Sequence, residues 1–107
     1  REKRSSHKSR GHFTRELIID YSQRTVIIKN KKIDFSNKEF EIIKLLSMNA
    51  GQIFDREKIY EVVWGFEANG DSAVIKEHIR KIRMKLARYS ENEYLETVWG
   101  VGYRWKK

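Results

Sequence analysis

The chain has 107 residues, 39% of them hydrophobic, and a formal net charge of +8, which together allow one domain with one packed core. The positive charge favours an anionic partner, with nucleic acid first and an anionic membrane surface second. The absence of cysteine excludes disulfides and zinc–thiolate sites and is compatible with a reducing cytoplasm.

Residues 1–12 form a basic, polar segment without hydrophobic periodicity. They hold five Lys or Arg and one Glu, which gives a net charge of +4. The apolar core of a secretory signal is missing from this segment. We therefore interpret residues 1–12 as a linker or tail and residues 13–107 as the folded domain.

Short β-branched runs predict a small antiparallel sheet at the start of the domain. The runs "ELIID" (16–20) and "TVIIK" (25–29) are separated by the turn-like "YSQR". Residues 27–35 are typical of a hairpin, with Asn30 and Lys31 as its turn.

Two helices are predicted next, each with clear start and stop signals. Ser36, with Glu39 three residues later, forms a capping box, and Gly51 is the expected left-handed cap at the end. Asp55 is the expected cap of the second helix, and Gly65 its end. The residues expected on the buried faces are Phe40, Ile43, Leu46, Ile59, Val62 and Val63.

The third predicted helix covers residues 72–89, with Asp71 or Ser72 as its cap. This segment holds six Lys or Arg and one Glu, a net charge of +5. Its isoleucines and leucine at helical spacing form one apolar stripe: Ile75, Ile79, Ile82 and Leu86. The opposite, largely basic face carries Ala73, Glu77, Arg80, Lys81, Met84 and Arg88.

The last predicted element is a hairpin in "NEYLETVWGVGYRW" (92–105), with its tip around Gly100 and Gly102. Most basic helix faces are only solvated. Here a shorter helix precedes the basic helix and a hairpin follows it, which is the layout of a winged helix-turn-helix. This order favours nucleic-acid binding over a solvated face.

Several spaced motifs carry a family resemblance over residues 13–106. They are "FSNKEFEIIKLLSMNAGQIFDREKIYEVVWG", "HIRKIRMKL" and "ETVWGVGYRW". Together they resemble the winged-helix effector domain of OmpR/PhoB-type bacterial response regulators. The resemblance implies an α+β fold: a winged helix-turn-helix with an N-terminal four-stranded antiparallel sheet, three helices and a C-terminal β-hairpin wing.

The resemblance also implies a function. We expect sequence-specific binding of double-stranded DNA that controls transcription, with the third helix (72–89) in the major groove and the wing (95–105) at the adjacent minor groove. The implied partners are repeated DNA half-sites that bind a homodimer, and an upstream receiver domain with its sensor histidine kinase. No cofactor, metal or catalytic residue is implied, and the expected location is the cytoplasm.

Site residues carry over from the family position by position. The implied base-reading residues are Lys76, Glu77 and Lys81. The implied contacts to the DNA backbone are Arg56, Trp64, His78, Arg80, Thr97, Trp99 and Tyr103. The loop at 65–71 can contact RNA polymerase in some family members, which implies a contact by Phe66, Glu67, Asn69 and Asp71; an ordinary connector is the alternative.

Glu77 and Trp99 have two interpretations each, and a further expectation concerns Arg83 and the aromatic rings of the wing. Glu77 either reads a cytosine amino group or orients Arg80 and Lys81. Trp99 replaces the wing-tip arginine of many family members, so it packs either along the sugar–phosphate wall or against its own domain. Arg83 is expected to pair with a carboxylate at the core edge instead of DNA. Tyr103 and Trp105 are each expected to pack one side of the ring on the third helix and to turn a polar edge toward a phosphate.

Two other function classes compete with DNA binding. An enzyme is disfavoured because the sequence has no metal-ligand spacing, no suggestion of a Ser-His-Asp set and no glycine-rich phosphate loop. A winged helix that serves as a protein–protein adaptor, with a solvated basic face, is the stronger alternative. A membrane-surface role has little support, because the basic helix turns its apolar stripe to the core.

Overall fold

The computed structural model describes residues 11–107. It divides at Asp34 and Phe35 into two compact units, a sheet and a helical unit that ends in a hairpin. Among the described residues, no helix is long and apolar enough to cross a membrane.

The first unit is a four-stranded antiparallel sheet. Its strands follow chain order: β1 (Gly11–Phe13), β2 (Leu17–Asp20), β3 (Thr25–Ile28) and β4 (Lys31–Ile33). Alternate side chains of a strand point to the same face of the sheet, and one of the two faces is buried. The buried residues of this face are Leu17, Ile19, Val26, Ile28 and Ile33.

Two sequence expectations about this sheet need correction. Gly11 and His12 belong to β1 and not to the linker; the rest of the predicted linker lies outside the described residues. The turn between β3 and β4 lies one residue earlier than predicted. Lys29 and Asn30 have φ values of 51° and 69°, and two consecutive positive φ values are the geometry of a type I′ hairpin turn.

The second unit contains the three predicted helices and the predicted hairpin. The helices are α1 (Asn37–Met48), α2 (Arg56–Trp64) and α3 (Val74–Ala87), with a short 3₁₀ turn at Gly65–Glu67. The hairpin consists of β5 (Leu95–Val98) and β6 (Gly102–Trp105). Helix α1 packs against α2, α3 and β6, so it lies at the centre of the unit.

The capping signals at the starts of α1 and α2 are confirmed. The Ser36 hydroxyl accepts from the Glu39 amide at 3.2 Å, and the Glu39 carboxylate accepts from the Ser36 amide at 2.8 Å. The Asp55 carboxylate accepts from the Lys58 amide at 2.7 Å. Gly65 ends α2 with a φ of 55°.

Three other helix expectations are wrong in detail. Asn49, and not Gly51, is the C-cap of α1. Val62 is 48% exposed, because the buried face of α2 is centred on Ile59 and Tyr60 and Val62 lies to one side of it. Helix α3 begins at Val74 with Ala73 as its N-cap, so neither predicted cap holds that position. The Ser72 hydroxyl donates to Glu57 at 2.9 Å, and the Asp71 carboxylate accepts from the Ala73 amide at 2.9 Å.

The apolar stripe of α3 is confirmed. Ile75, Ile79, Ile82 and Leu86 are all buried. The six residues predicted for the opposite face are all exposed. The basic side of α3 is therefore turned away from the core.

Candidate nucleic-acid interface

The exposed face of α3 offers three cationic side chains: Lys76, Arg80 and Lys81. Within residues 11–107, neither Lys76 nor Lys81 has an ion-pair or hydrogen-bond partner. Cations on an exposed helix face without such partners remain available to an anionic ligand. Helix α3 thus has the charge that a phosphate backbone or a guanine edge requires.

Arg80 differs from these lysines because it forms a bidentate ion pair with Glu77. Its Nε and one terminal nitrogen donate to the two carboxylate oxygens of Glu77 at 2.9 and 2.6 Å. The other terminal nitrogen lies 2.8 Å from the Met84 sulfur. The hydrogen bond from Arg80 lowers the pKa of the Glu77 carboxyl below its ordinary value, so this pair is fully charged near neutral pH.

The hairpin beside α3 has a well-defined tip. A hydrogen bond of 2.9 Å from the Val101 amide to the Val98 carbonyl closes the turn, and Gly100 has a φ of 80°. Strand β5 is tied to β6 by the cross-strand pair of Glu96 and Arg104 at 2.7 Å. The backbone and this ion pair therefore fix the position of the tip.

Gly102 allows the hairpin to approach the segment before α2. Tyr103 exchanges two backbone hydrogen bonds with Phe54, at 2.8 and 2.9 Å. A Cβ atom at Gly102 would overlap the Phe54 carbonyl and lie 2.8 Å from the Asp55 Cα, so only glycine fits. The hairpin therefore needs glycine at position 102 to pair with the segment before α2.

Arg83 connects α3 to the hairpin, a role that the sequence did not reveal. Its Nε donates to the Leu95 carbonyl at 3.1 Å, and a terminal nitrogen donates to the Thr97 hydroxyl at 2.6 Å. The guanidinium also lies 5.9 Å from the centre of the Tyr103 ring. The expected carboxylate partner is therefore wrong: Arg83 uses hairpin acceptors, which helical periodicity in α3 alone cannot predict.

The helix and the hairpin enclose an open cleft of about 710 Å³. Several residues predicted to contact DNA line it together: Lys76, Glu77, Arg80, Thr97, Trp99 and Tyr103. A second cleft of about 470 Å³, on the side of the hairpin that faces the start of α2, includes Arg56. Lys81, Trp64 and His78 line neither of these clefts.

The two hairpin tryptophans lie in opposite environments. Trp105 is 0% exposed and stacks on Tyr94 with ring centroids 5.9 Å apart. The expectation that its polar edge faces a phosphate is wrong, because β6 directs this side chain into the core. Trp99 is 89% exposed, which rules out packing against its own domain in this structure.

Trp64 and His78 form a half-buried aromatic group. Trp64 stacks on Tyr60 at 5.1 Å, and the His78 ring meets Trp64 edge-on at 5.2 Å. The Nδ1 of His78 lies 2.9 Å from the Val74 carbonyl. Lys38 lies 5.0 Å above the Trp64 ring. Both predicted backbone-contact residues therefore also pack within the helical unit.

The loop at 65–71 is held by side chains of α1 and α2. Glu67 pairs with Lys38 at 2.8 Å, and the Gly70 amide donates to the Tyr60 hydroxyl at 2.8 Å. The Asp71 carboxylate accepts from the Ala73 amide, and Asn69 is exposed. Phe66 is fully exposed and is the most prominent side chain of the loop.

A family model for the C-terminal part of transcriptional regulatory proteins ("Transcriptional regulatory protein, C terminal") matches residues 30–105. The chain belongs to this family. It is therefore the effector domain of a transcriptional regulator and not an enzyme.

Individual relatives agree with this assignment. The domain is 35% identical to the transcriptional regulatory protein SpaR of Bacillus subtilis, over 99% of this chain and 47% of SpaR. It therefore spans less than half the length of this relative. It is similar in structure to the Thermotoga maritima response regulator DrrB, an OmpR/PhoB homolog, with a TM-score of 0.80, 33% identity, and coverage of 92% of this chain and 45% of DrrB.

A solved complex with DNA is also similar. The DNA-binding domain of Klebsiella pneumoniae RstA, crystallised with the RstA box, matches with a TM-score of 0.76 and 26% identity. The match covers 90% of this chain and 96% of the RstA domain. The fold is thus the OmpR/PhoB-type winged helix: a four-stranded antiparallel sheet, three helices and a hairpin wing.

Proposed function

We propose that this effector domain binds double-stranded DNA in a sequence-specific manner and thereby controls transcription. Helix α3 enters the major groove, and the wing (95–105) meets the adjacent minor groove. The observation that carries the proposal is the cleft in which exposed cations of α3 face the hairpin tip. The RstA DNA-binding domain, which has a similar fold, was crystallised in complex with the RstA box, and this supports DNA binding by a domain of this fold.

Lys76 and Lys81 are the proposed base-reading residues, and Glu77 is proposed to orient Arg80 beside them. The two lysines are exposed and can donate to the O6 and N7 atoms of guanine. Glu77 already accepts from Arg80 through both carboxylate oxygens. This occupation favours the orienting role of Glu77 over readout of a cytosine amino group.

The proposed backbone contacts surround α3. Arg56 is exposed at the start of α2 and brings a full charge. The Thr97 hydroxyl accepts from Arg83, which leaves its own proton for a phosphate oxygen. Arg80, Tyr103 and Trp99 line the main cleft beside Thr97. Trp64 and His78 contribute from their packed positions.

The hydrogen bond of His78 within α3 limits how its ring can contact a phosphate. Its Nδ1 lies at the Val74 carbonyl and therefore carries the proton. The remaining nitrogen, Nε2, donates to a phosphate only when the imidazolium forms.

The remaining partners belong to the whole protein, of which this domain is a part. We infer an upstream receiver domain that a sensor histidine kinase phosphorylates, a homodimer on repeated half-sites, and a cytoplasmic location. The loop at 65–71 is the candidate contact with RNA polymerase. Its anchoring at both ends and the fully exposed Phe66 support that role over an ordinary connector.

The test of the proposed function is selection of duplexes from a random pool, carried out with the wild-type chain and with Lys81→Ala. We expect the wild type to enrich a motif that repeats at about one helical turn. The Lys81→Ala variant should lose preference at a defined base pair within it. Binding without any enriched motif would contradict sequence-specific recognition.

The protein–protein adaptor remains the second candidate, and the exposed Phe66 supports it. In this function the exposed basic face of α3 contacts only solvent. It predicts no DNA binding even at low ionic strength. DNA binding by cationic side chains that neutralise phosphates instead weakens steeply as the salt concentration rises, because the binding releases counterions from the DNA. A titration against salt therefore separates the two functions.

A further inference from the structure

The wing tip is apolar on a domain that is otherwise rich in charge. Trp99 is 89% exposed and Val101 is 54% exposed. Residues 97–103 contain no charged side chain, although the whole chain has a net charge of +8. Neighbouring apolar side chains that are exposed together at a turn indicate a contact surface, whereas single exposed apolar residues do not.

The position of the tip indicates what it contacts. Trp99 lines the same cleft as Lys76 and Arg80 of α3, so it borders the surface that we propose for DNA. It also lines the second cleft with Arg56. With α3 in the major groove, a side chain flanked by cations on both sides lies at the neighbouring groove and its sugar walls.

The chemistry of an indole differs from that of a cation in a minor groove. An arginine is drawn into narrow A-tract grooves by their strong negative potential. Tryptophan has no charge and a broad ring, so a narrow groove offers it little attraction and little room. Apolar side chains instead act as wedges where base pairs unstack, and pyrimidine–purine steps unstack most easily.

The tip is also held in place before DNA arrives. The turn is closed by the hydrogen bond between Val101 and Val98 and depends on the positive φ of Gly100. Arg83 fixes Thr97, two residues before Trp99, to helix α3. A wedge that is already positioned loses less conformational entropy on binding.

We propose that Trp99, supported by Val101, is an apolar wedge that makes the wing select a deformable pyrimidine–purine step over a rigid A-tract beside the α3 site. This inference rests on the proposed function and adds a sequence preference that α3 does not supply. It assigns specificity at base pairs where no charged side chain is present.

The test uses two duplexes with the same selected α3 site. They differ only in the flanking minor-groove segment, which holds a TA step in one and an A-tract in the other. The wild type should bind the TA duplex roughly tenfold more tightly. Trp99→Ala should abolish the difference, and Trp99→Arg should reverse it. Phe66→Ala, which removes another fully exposed aromatic outside the cleft, should retain it.

Three outcomes would overturn the wedge. The wild type could bind both duplexes equally, Trp99→Ala could keep the wild-type preference, or Phe66→Ala could lose it as well. If the wild type bound neither duplex at low salt, the proposed function itself would fail and the wedge with it. All the Trp99 variants should fold, since this side chain is exposed, and circular dichroism spectra matching the wild type would verify that.

Discussion

The base and the tip of the wing carry the same residue type in opposite surroundings. Trp105 at the base is fully buried and stacks on Tyr94, whereas Trp99 at the tip is 89% exposed. One tryptophan therefore holds the hairpin to the core, and the other is available to a partner. Aromatic density along a segment does not indicate which of these roles a ring has; its place in the hairpin does.

The largest expected effect is the difference in folding stability between the alanine variants of the two tryptophans. Trp105→Ala should lower the free energy of unfolding by about 3–5 kcal/mol, because it leaves a large cavity. Trp99→Ala should change it by less than about 0.5 kcal/mol, as expected for an exposed side chain. Urea denaturation of both variants measures the difference. Equal losses would contradict the assigned environments.

A second contrast lies within α3, where Lys81 faces outward and Lys85 faces inward. The Lys85 ammonium pairs with Glu39 at 2.7 Å and lies 5.4 Å from the centre of the Phe35 ring. The Glu39 side chain is 4% exposed. Glu39→Ala should cost about 3 kcal/mol, since it leaves a partly buried ammonium unpaired and removes the capping box. Lys81→Ala should leave stability almost unchanged in the same denaturation experiment.

The same pair gives a pH dependence. Burial raises the pKa of Glu39, but the hydrogen bonds from Lys85 and Ser36 and the charge of Lys85 outweigh it, so the pKa lies below the ordinary value of a glutamate carboxyl. A carboxylate with a lowered pKa contributes stability above its unfolded value, and that contribution is lost as the pH falls through the folded value. Stability should therefore decline as the pH falls below the ordinary titration range of a glutamate carboxyl, and Glu39→Gln should lessen the decline. An unchanged pH profile in Glu39→Gln would contradict this.

A smaller effect is expected where Arg83 connects helix and wing. Arg83→Leu removes the hydrogen bonds to Leu95 and Thr97, so the wing should lose its fixed position beside α3. We expect a loss of about 1 kcal/mol in stability and roughly tenfold in DNA affinity. The matched control is Lys44→Ala, which removes a charge on α1, away from the two clefts. If Lys44→Ala weakened binding as much as Arg83→Leu, net charge and not position would be the cause.

The smallest effect is expected from Glu77, because its pair with Arg80 is exposed. Glu77→Ala should alter DNA affinity only a few-fold and leave base preference unchanged, since the carboxylate orients Arg80. Repeating the duplex selection with this variant measures both. A changed preference at one cytosine position would show that Glu77 reads a base and does not merely orient its neighbour.

The sequence was most informative where local signals act alone. The capping box of α1, the Asp55 cap of α2, the stripe from Ile75 to Leu86 and the Gly100 turn follow from short-range rules, and the structure confirms them. It was least informative where two elements meet. The partners of Arg83, the burial of Trp105 and the exposure of Val62 depend on which element packs on which side, and periodicity within one segment does not contain that information.

The central claim is that α3 and its neighbours bind DNA by charge, whereas the wing tip binds it without charge. The most direct test is the slope of log affinity against log salt for the wild type, Arg56→Ala and Trp99→Ala. Arg56→Ala should reduce the magnitude of the slope by about 0.9, as the loss of one phosphate contact requires. Trp99→Ala should weaken binding equally at every salt concentration and leave the slope unchanged. A reduced slope in Trp99→Ala, or an unchanged affinity, would contradict the account.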